Sequence, residues 1–328
     1  MTVDWAAFAT LIQANHRFIL TSHIRPDCDA LGSELGMCGV LEALGKEVII
    51  VNGQETPPNL AFIDPDRKIK TLGDDVTVDE LREGYDILMV LDTSAWAQLG
   101  PMGDVIKTTQ AKKIVVDHHV SEDDLGAEPF KNTTAEATGR LVVEAAEALG
   151  VELTPSMATP IFAALATDTG WYRFGSTTAY TYEIAAKLLR AGAVPADIYA
   201  DLYERDTLGR VRLRGEVLAR TRTELDGRLA HTYILREDFE RVGAIPSDTE
   251  DLVNLILAID GTEAAVICIE QLQGGFKISF RSRCQMEASA VAEQFGGGGH
   301  KAAAGAFVEG TLEEVQPQIL DAVRAAMG

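Results

Sequence analysis

Residues 17–33 read RFILTSHIRPDCDALGS. The first seven are a short apolar run of the kind that forms a buried strand, and the last three open a segment with helical spacing. Between them stand one histidine and two aspartates, His23, Asp27 and Asp29. A strand that passes into a helix through three ionisable side chains marks a βα unit whose loop carries chemistry.

The same texture recurs. EVIIVN (47–52), YDILMVLD (85–92) and KKIVVDHH (112–119) are further short apolar runs bounded by polar or Gly/Pro punctuation. Residues 31–44, 135–149, 155–167 and 178–191 carry helical spacing, with Gly45, Gly150 and Gly192 placed to end three of them. This alternation predicts an α/β fold, a doubly wound, mainly parallel sheet over residues 1–192. Residues 193–220 are polar with a helical pattern and are expected as a helical linker. From 221 to 328 the strands are shorter (RLAHTYIL, EAAVICIEQL, FKISFRS), with turns at Asp226-Gly227 and Gly274-Gly275 and a helix near 248–259. That half is expected to be a smaller mixed α/β domain.

The chain has 328 residues, 46% of them hydrophobic, enough for two cores. Fifty acids against 29 bases give a net charge of −21, which disfavours a broad grip on long duplex nucleic acid. An acid at position 4 and the lack of a basic leader argue against a signal peptide, and no run of about 18 apolar residues suggests a membrane span. Cys28, Cys38, Cys268 and Cys284 form no CxxC pair. A reduced, cytoplasmic setting is expected.

The ionisable residues fall at strand carboxyl ends: His23 with Asp27 and Asp29, then Asp92, then Asp117, His118 and His119. In an open α/β sheet those ends line one crevice, so groups far apart in sequence converge. Asp168 ends an apolar helical segment, where an unpaired carboxylate would be costly to bury. Each residue also has a plainer reading. Asp29 fits the cap of a helix beginning near Leu31; Asp117 fits either a strand-terminal turn or a residue that orients an imidazole. Together, so many acids in one crevice call for cations. Carboxylates with some imidazole favour Mn²⁺, with Mg²⁺ or Co²⁺ as alternatives, over a thiolate-seeking ion.

These segments resemble the DHH phosphoesterase superfamily. Its motifs stand here as HIRPDCDALGS, the aspartate of VLDTS, VDHHVS and the aspartate of LATDTG, and RSRCQMEASAVAEQFGGGGHKAAAG resembles the DHHA1 nucleic-acid-binding domain of one branch. Size and layout are most similar to the nanoRNase group, oligoribonucleases that also dephosphorylate 3′-phosphoadenosine 5′-phosphate (pAp). The resemblance implies two divalent ions, one on His23, Asp27 and Asp92 and the other on Asp29, Asp92, His118 and Asp168, with Asp92 shared. It implies a catalytic role for Asp92 and places His119 towards the substrate. Two ions roughly 3.5–4 Å apart suit in-line displacement at phosphorus. In FGGGGHKAAAG (295–305), Gly297, Gly298, Gly299 and His300, with Arg281, Ser282 and Arg283 on the preceding strand, are the expected substrate clamp. Lys301 is expected to face solvent. Trp171 and Tyr172 suit packing better than base stacking.

The expected partner is short RNA or a nucleotide, with neither long duplex nor membrane; a homodimer is left open. The rival activity is a cyclic-dinucleotide phosphodiesterase acting on c-di-AMP or on linear pApA or pGpG. The rival of another class is an inactive nucleotide-binding module, whose signature would be a lost metal aspartate, and none is lost.

Overall fold

The computed structural model describes residues 3–120 and 123–328 and divides the chain into two compact units, Met1–Arg205 and Asp206–Gly328. Ser121, the last residue of the VDHHVS motif, lies outside the described residues.

The first unit runs α1 (Trp5–Ala14), β1 (Arg17–Thr21), α2 (Cys28–Ala43), β2 (Glu47–Asn52), β3 (Ile69–Thr71), β4 (Ile87–Leu91), α3 (Trp96–Leu99), α4 (Met102–Thr108), β5 (Lys112–Asp117), β6 (Glu128–Lys131), α5 (Thr138–Leu149), α6 (Pro155–Asp168), α7 (Ala179–Arg190) and α8 (Pro195–Tyr203). Its strands order as β3-β2-β1-β4-β5-β6, all parallel. Consecutive residues of β4 serve opposite faces: Ile87, Met89 and Leu91 join the core that includes Phe8, Leu31 and Ile161, while Leu88 and Val90 join Leu99 and Val105. The expected doubly wound sheet is therefore present. β3 and β6 were not foreseen; one has three residues, and the other, EPFK, carries a proline that edge strands tolerate.

The order reverses direction between β1 and β4, so the ligand crevice of such a sheet opens at their carboxyl ends. A close helix pair closes one side of it. α2 carries Gly32, Gly36 and Gly39 along the face against α6, and a Cβ on Gly32 would lie 2.3 Å from the Pro160 carbonyl oxygen. Only glycine permits that approach, which brings the start of α2 to the end of α6.

The second unit comprises α9 (Leu208–Ala219), β7 (Arg222–Glu224), β8 (Leu229–Ile234), α10 (Arg236–Val242), α11 (Leu252–Leu257), β9 (Ala264–Glu270), β10 (Phe276–Ser282), α12 (Ala288–Glu293), β11 (Gly298–Gly299), β12 (Ala303–Val308) and α13 (Leu312–Met327). Its mixed sheet, β11-β12-β10-β9-β8-β7, is antiparallel except where β8 meets β9. Residues 193–220, expected as a helical linker, hold two helices, α8 and α9. Ile198 of α8 packs into the core of the first unit, and Leu213 and Val217 of α9 into that of the second. No helix among the described residues is long and apolar enough to cross a membrane.

Candidate metal centre

The switch point gathers the ionisable side chains. His23 follows β1, Asp92 follows β4, and His118 and His119 follow β5, whose last residue is Asp117. Asp27 caps α2, its Oδ1 accepting from the amides of Asp29 and Ala30 at 3.0 and 3.1 Å. The capping reading of Asp29 is thereby corrected: the helix starts three residues earlier than Leu31, and Asp29 lies in its first turn, its carboxylate taking no part in the cap. Asp168 is the last residue of α6.

Two histidines define what the cluster can hold. His23 Nδ1 lies 3.0 Å from the carbonyl oxygen of Ile24, and His118 Nδ1 3.1 Å from that of Ala135. A carbonyl only accepts, so each Nδ1 carries a hydrogen and each ring turns its Nε2 the other way. That nitrogen meets carboxylates. His23 Nε2 lies 3.3 Å from Asp92 Oδ2 and 3.9 Å from Asp27 Oδ1. His118 Nε2 lies 3.4 Å from Asp168 Oδ2, 3.5 Å from Asp92 Oδ1 and 3.7 Å from Asp29 Oδ2. Imidazole nitrogens and carboxylate oxygens gathered this closely are the donor set that a divalent cation takes. Among the described residues, three sets of donor atoms lie mutually within 4.8 Å: His23, Asp27 and Asp92; Asp29, His118 and Asp168; and Asp92, His118 and His119. Asp92 belongs to the first and third of these sets, and its Oδ1 also lies 3.5 Å from His118 Nε2.

The electrostatics agree. Burial, then repulsion from Asp92, Asp168 and Asp27, drives the Asp29 carboxyl well above the ordinary carboxylate range. Burial and then Asp27 do the same to Asp92, and burial chiefly raises Asp168. Asp92 also holds a left-handed backbone, φ 62°, which an aspartate tolerates but does not favour. Burial, with Asp27 and Asp29, pushes the Cys28 thiol up to about 12, so it offers no thiolate.

Sequence reasoning missed the residues that hold these carboxylates. The amides of Thr138 and Gly139, at the start of α5, donate to Asp29 Oδ2 and Oδ1 at 2.7 and 2.8 Å, and the Thr138 hydroxyl donates to Asp92 Oδ1 at 2.9 Å. The positive end of a twelve-residue helix thus faces the cluster. Its signal, Thr-Gly at a helix start, was present at 138–139.

Residues 17–166 match the DHH family, N-terminal domain, and residues 227–328 match the DHHA1 domain. Over 306 residues the chain is 33% identical to the bifunctional oligoribonuclease and PAP phosphatase NrnA of Thermus thermophilus, spanning 93% of this chain and 88% of that protein. The chain belongs to the DHH family. The Bacillus subtilis protein of the same description is 28% identical over 296 residues, 88% of each chain. Among solved structures, an exopolyphosphatase-related protein from Bacteroides fragilis superposes with a TM-score of 0.85 at 26% identity, covering 98% of this chain and 94% of that one.

Within the DHH run, the third residue differs from the second. His119 is 42% exposed and turns its Nδ1 to Asp117 Oδ1 at 2.9 Å, which leaves Nε2 on the opposite edge of the ring. That contact, ahead of its burial, raises the imidazole's pKa. Asp117 therefore holds His119 by both its amide and its Nδ1. Although burial opposes it, hydrogen bonds from His119 and Ser94 and the charge of Lys131 hold the Asp117 carboxyl down to about 2.

In the DHHA1 domain the expected clamp divides. β10 alternates, so Ser282 is buried on the side of Ile278 and Phe280, and its Oγ engages the main chain of Cys284. Arg281 is half-buried with Nε on Asn254 Oδ1 at 3.1 Å, and Arg283 is exposed. Successive residues of a strand face opposite sides of the sheet, so Arg281 and Ser282, the last two of β10, do not present side chains to one ligand, which corrects the inclusion of Ser282. The glycines also differ. A Cβ on Gly297 or Gly299 would strike β12 at 2.2 or 2.7 Å, whereas one on Gly298 would meet nothing within 4 Å. Packing explains two of the three. His300 is exposed, and Lys301 pairs with Glu287 at 2.6 Å. Trp171 packs edge-on against Phe162, Tyr199 and Tyr203, while Tyr172 stacks on Tyr182.

Proposed function

We propose that this DHH-family chain is a metal-dependent phosphoesterase that hydrolyses short oligoribonucleotides to mononucleotides and converts pAp to AMP. The observation that carries the metal chemistry is the pair of imidazole Nε2 atoms aimed at four aspartates. The substrate class is supported by the names of the Thermus and Bacillus relatives. His23, Asp27 and Asp92 would hold one divalent ion and Asp29, Asp92, His118 and Asp168 a second, most simply Mn²⁺ given an all-oxygen-and-nitrogen donor set. When bound, such a pair neutralises phosphate oxygens and activates water. The chain's own contribution is alignment. Thr138 and Gly139 fix Asp29 and Asp92, and His119 presents Nε2 to a phosphate or leaving-group oxygen. Arg281, Arg283, His300 and the backbone of Gly297 to Gly299 bind substrate phosphate and sugar.

With one local arginine pair in a chain of net charge −21, the grip covers one or two terminal nucleotides. RNA of two to five nucleotides should be hydrolysed much faster per enzyme than a strand of about 25. Rates measured with Mn²⁺ on that series, pAp, cyclic dinucleotides and pyrophosphate test the reading. Equal rates on short and long RNA, or a preference for cyclic dinucleotides, would replace it.

The DHHA1 residues should fail differently from the metal ligands. Arg281→Ala and His300→Ala should leave metal content intact and raise KM for nucleotides, since losing a charged partner of phosphate costs about 1.5–3 kcal/mol. Bis-p-nitrophenyl phosphate, which makes few such contacts, should be affected less. Loss of metal from the His300 variant would move the glycine loop's role to the catalytic centre.

A further inference from the structure

The carboxylate that orients His119 is itself held from behind. Asp117 is fully buried at the end of β5, and each of its oxygens has two partners. Oδ1 takes the His119 amide at 3.0 Å and Nδ1 at 2.9 Å, while Oδ2 takes the Ser94 hydroxyl at 2.7 Å and the Lys131 ammonium at 3.1 Å. Lys131 also donates to Ser94 Oγ. The topology makes this possible: Ser94 follows β4, and Lys131 ends β6 in direct register with Asp117. Three adjacent strand ends therefore meet at one carboxylate.

A carboxylate has about four lone-pair sites, and here all four are occupied. Rotation about its terminal torsion would break two bonds on either side. The Lys131 side chain is only 9% exposed. A charge taken out of water in this way is expensive unless it is paired and hydrogen-bonded, and pairs of this kind are retained where they fix a geometry. Nothing in the expected metal or substrate set uses it.

We propose that Lys131 and Ser94 are positioning residues for the reaction, locking the Asp117 carboxylate so that His119 Nε2 is presented in one orientation. This rests on the reading that His119 faces the substrate. Without the lock, Asp117 is free to turn and the imidazole loses both its preferred tautomer and its direction.

A double-mutant cycle tests it. Lys131→Met should lower kcat roughly ten- to a hundredfold, in the range seen when outer partners of site residues are lost, with KM and metal content unchanged. Ser94→Ala removes a single hydrogen bond from the same carboxylate, and it should act in the same direction with a smaller loss. In a His119→Ala background both substitutions should change kcat by less than about twofold, because residues acting through one side chain are not additive. The histidine Nδ1 proton resonance in the parent, lost in His119→Ala, should broaden or move in Ser94→Ala. Equal losses with and without His119 would overturn the positioning role, as would an unchanged kcat in a folded Ser94→Ala protein with an unchanged resonance. Full activity of His119→Ala would instead remove the reading on which the inference stands.

Discussion

Asp92→Ala is expected to lower kcat a thousandfold or more at saturating Mn²⁺, since losing several kcal/mol of transition-state stabilisation corresponds to at least three powers of ten. Asp92 sits at the switch point between β1 and β4, is 1% exposed, and among the described residues is the one acid paired with both His23 and His118. Its removal takes a donor from both candidate ion sites. The Thr138 hydroxyl would lose its acceptor as well. Asp92→Asn keeps the shape and an acceptor for Thr138, so a comparable loss in that variant would assign the effect to charge rather than to folding. Asp27→Ala provides the contrast. Its side chain is 61% exposed and, of the two histidines, meets His23, so the variant should bind less of one ion and retain more activity. Metal content by mass spectrometry, with kcat on a dinucleotide, separates the cases. Full turnover by EDTA-treated, metal-free protein would refute the two-metal reading.

The convergence of His23, Asp92, His118 and His119 was legible because each follows an apolar run that can only be a buried strand, and strand ends of a parallel sheet share one edge. Asp168 was legible as an acid too costly to leave unpaired. Its partner was not, because that contact depends on Gly32, Gly36 and Gly39 meeting α6, and a glycine does not announce what it will touch. The supports of the site, Thr138 beneath Asp29 and Asp92 and Lys131 with Ser94 behind Asp117, are long-range contacts fixed by strand order. Sequence periodicity carries no information about which strands become neighbours. Ser282 failed for a local reason. It was grouped with Arg281 and Arg283 by adjacency, whereas the two-residue period of β10 turns it to the core. Polar helical spacing over 193–220 likewise does not say which core each helix joins: Ile198 of α8 packs in the first unit, Leu213 and Val217 of α9 in the second.

The metal-free first unit should be destabilised by its own acids, and the effect should depend on pH in a defined direction. Asp29 and Asp92 have folded-state pKa values raised above those of the unfolded chain, mainly by burial and then by neighbouring carboxylates. Over the interval from the unfolded value, about 4, up through the raised values, the folded state holds more protons than the unfolded one. Stability of the metal-free protein therefore falls as pH rises through that interval. Cations reverse the penalty and bind only deprotonated ligands, so their stabilisation grows with pH. Mn²⁺ at a hundred times its dissociation constant should add about 2.7 kcal/mol, which for a unit of about 200 residues raises Tm by roughly 5–10 °C. The gap between metal-loaded and metal-free Tm should be widest near pH 8 and narrow towards pH 5. Asp168→Asn removes one of the raised carboxylates; it should raise the metal-free Tm at pH 8 while shrinking the gain from Mn²⁺. Calorimetry across that range, with and without EDTA, reads both effects. A metal-free Tm that rises from pH 5 to pH 8, or one that Mn²⁺ does not move, would mean that these aspartates are neutralised within the protein and that the cluster is no cation site.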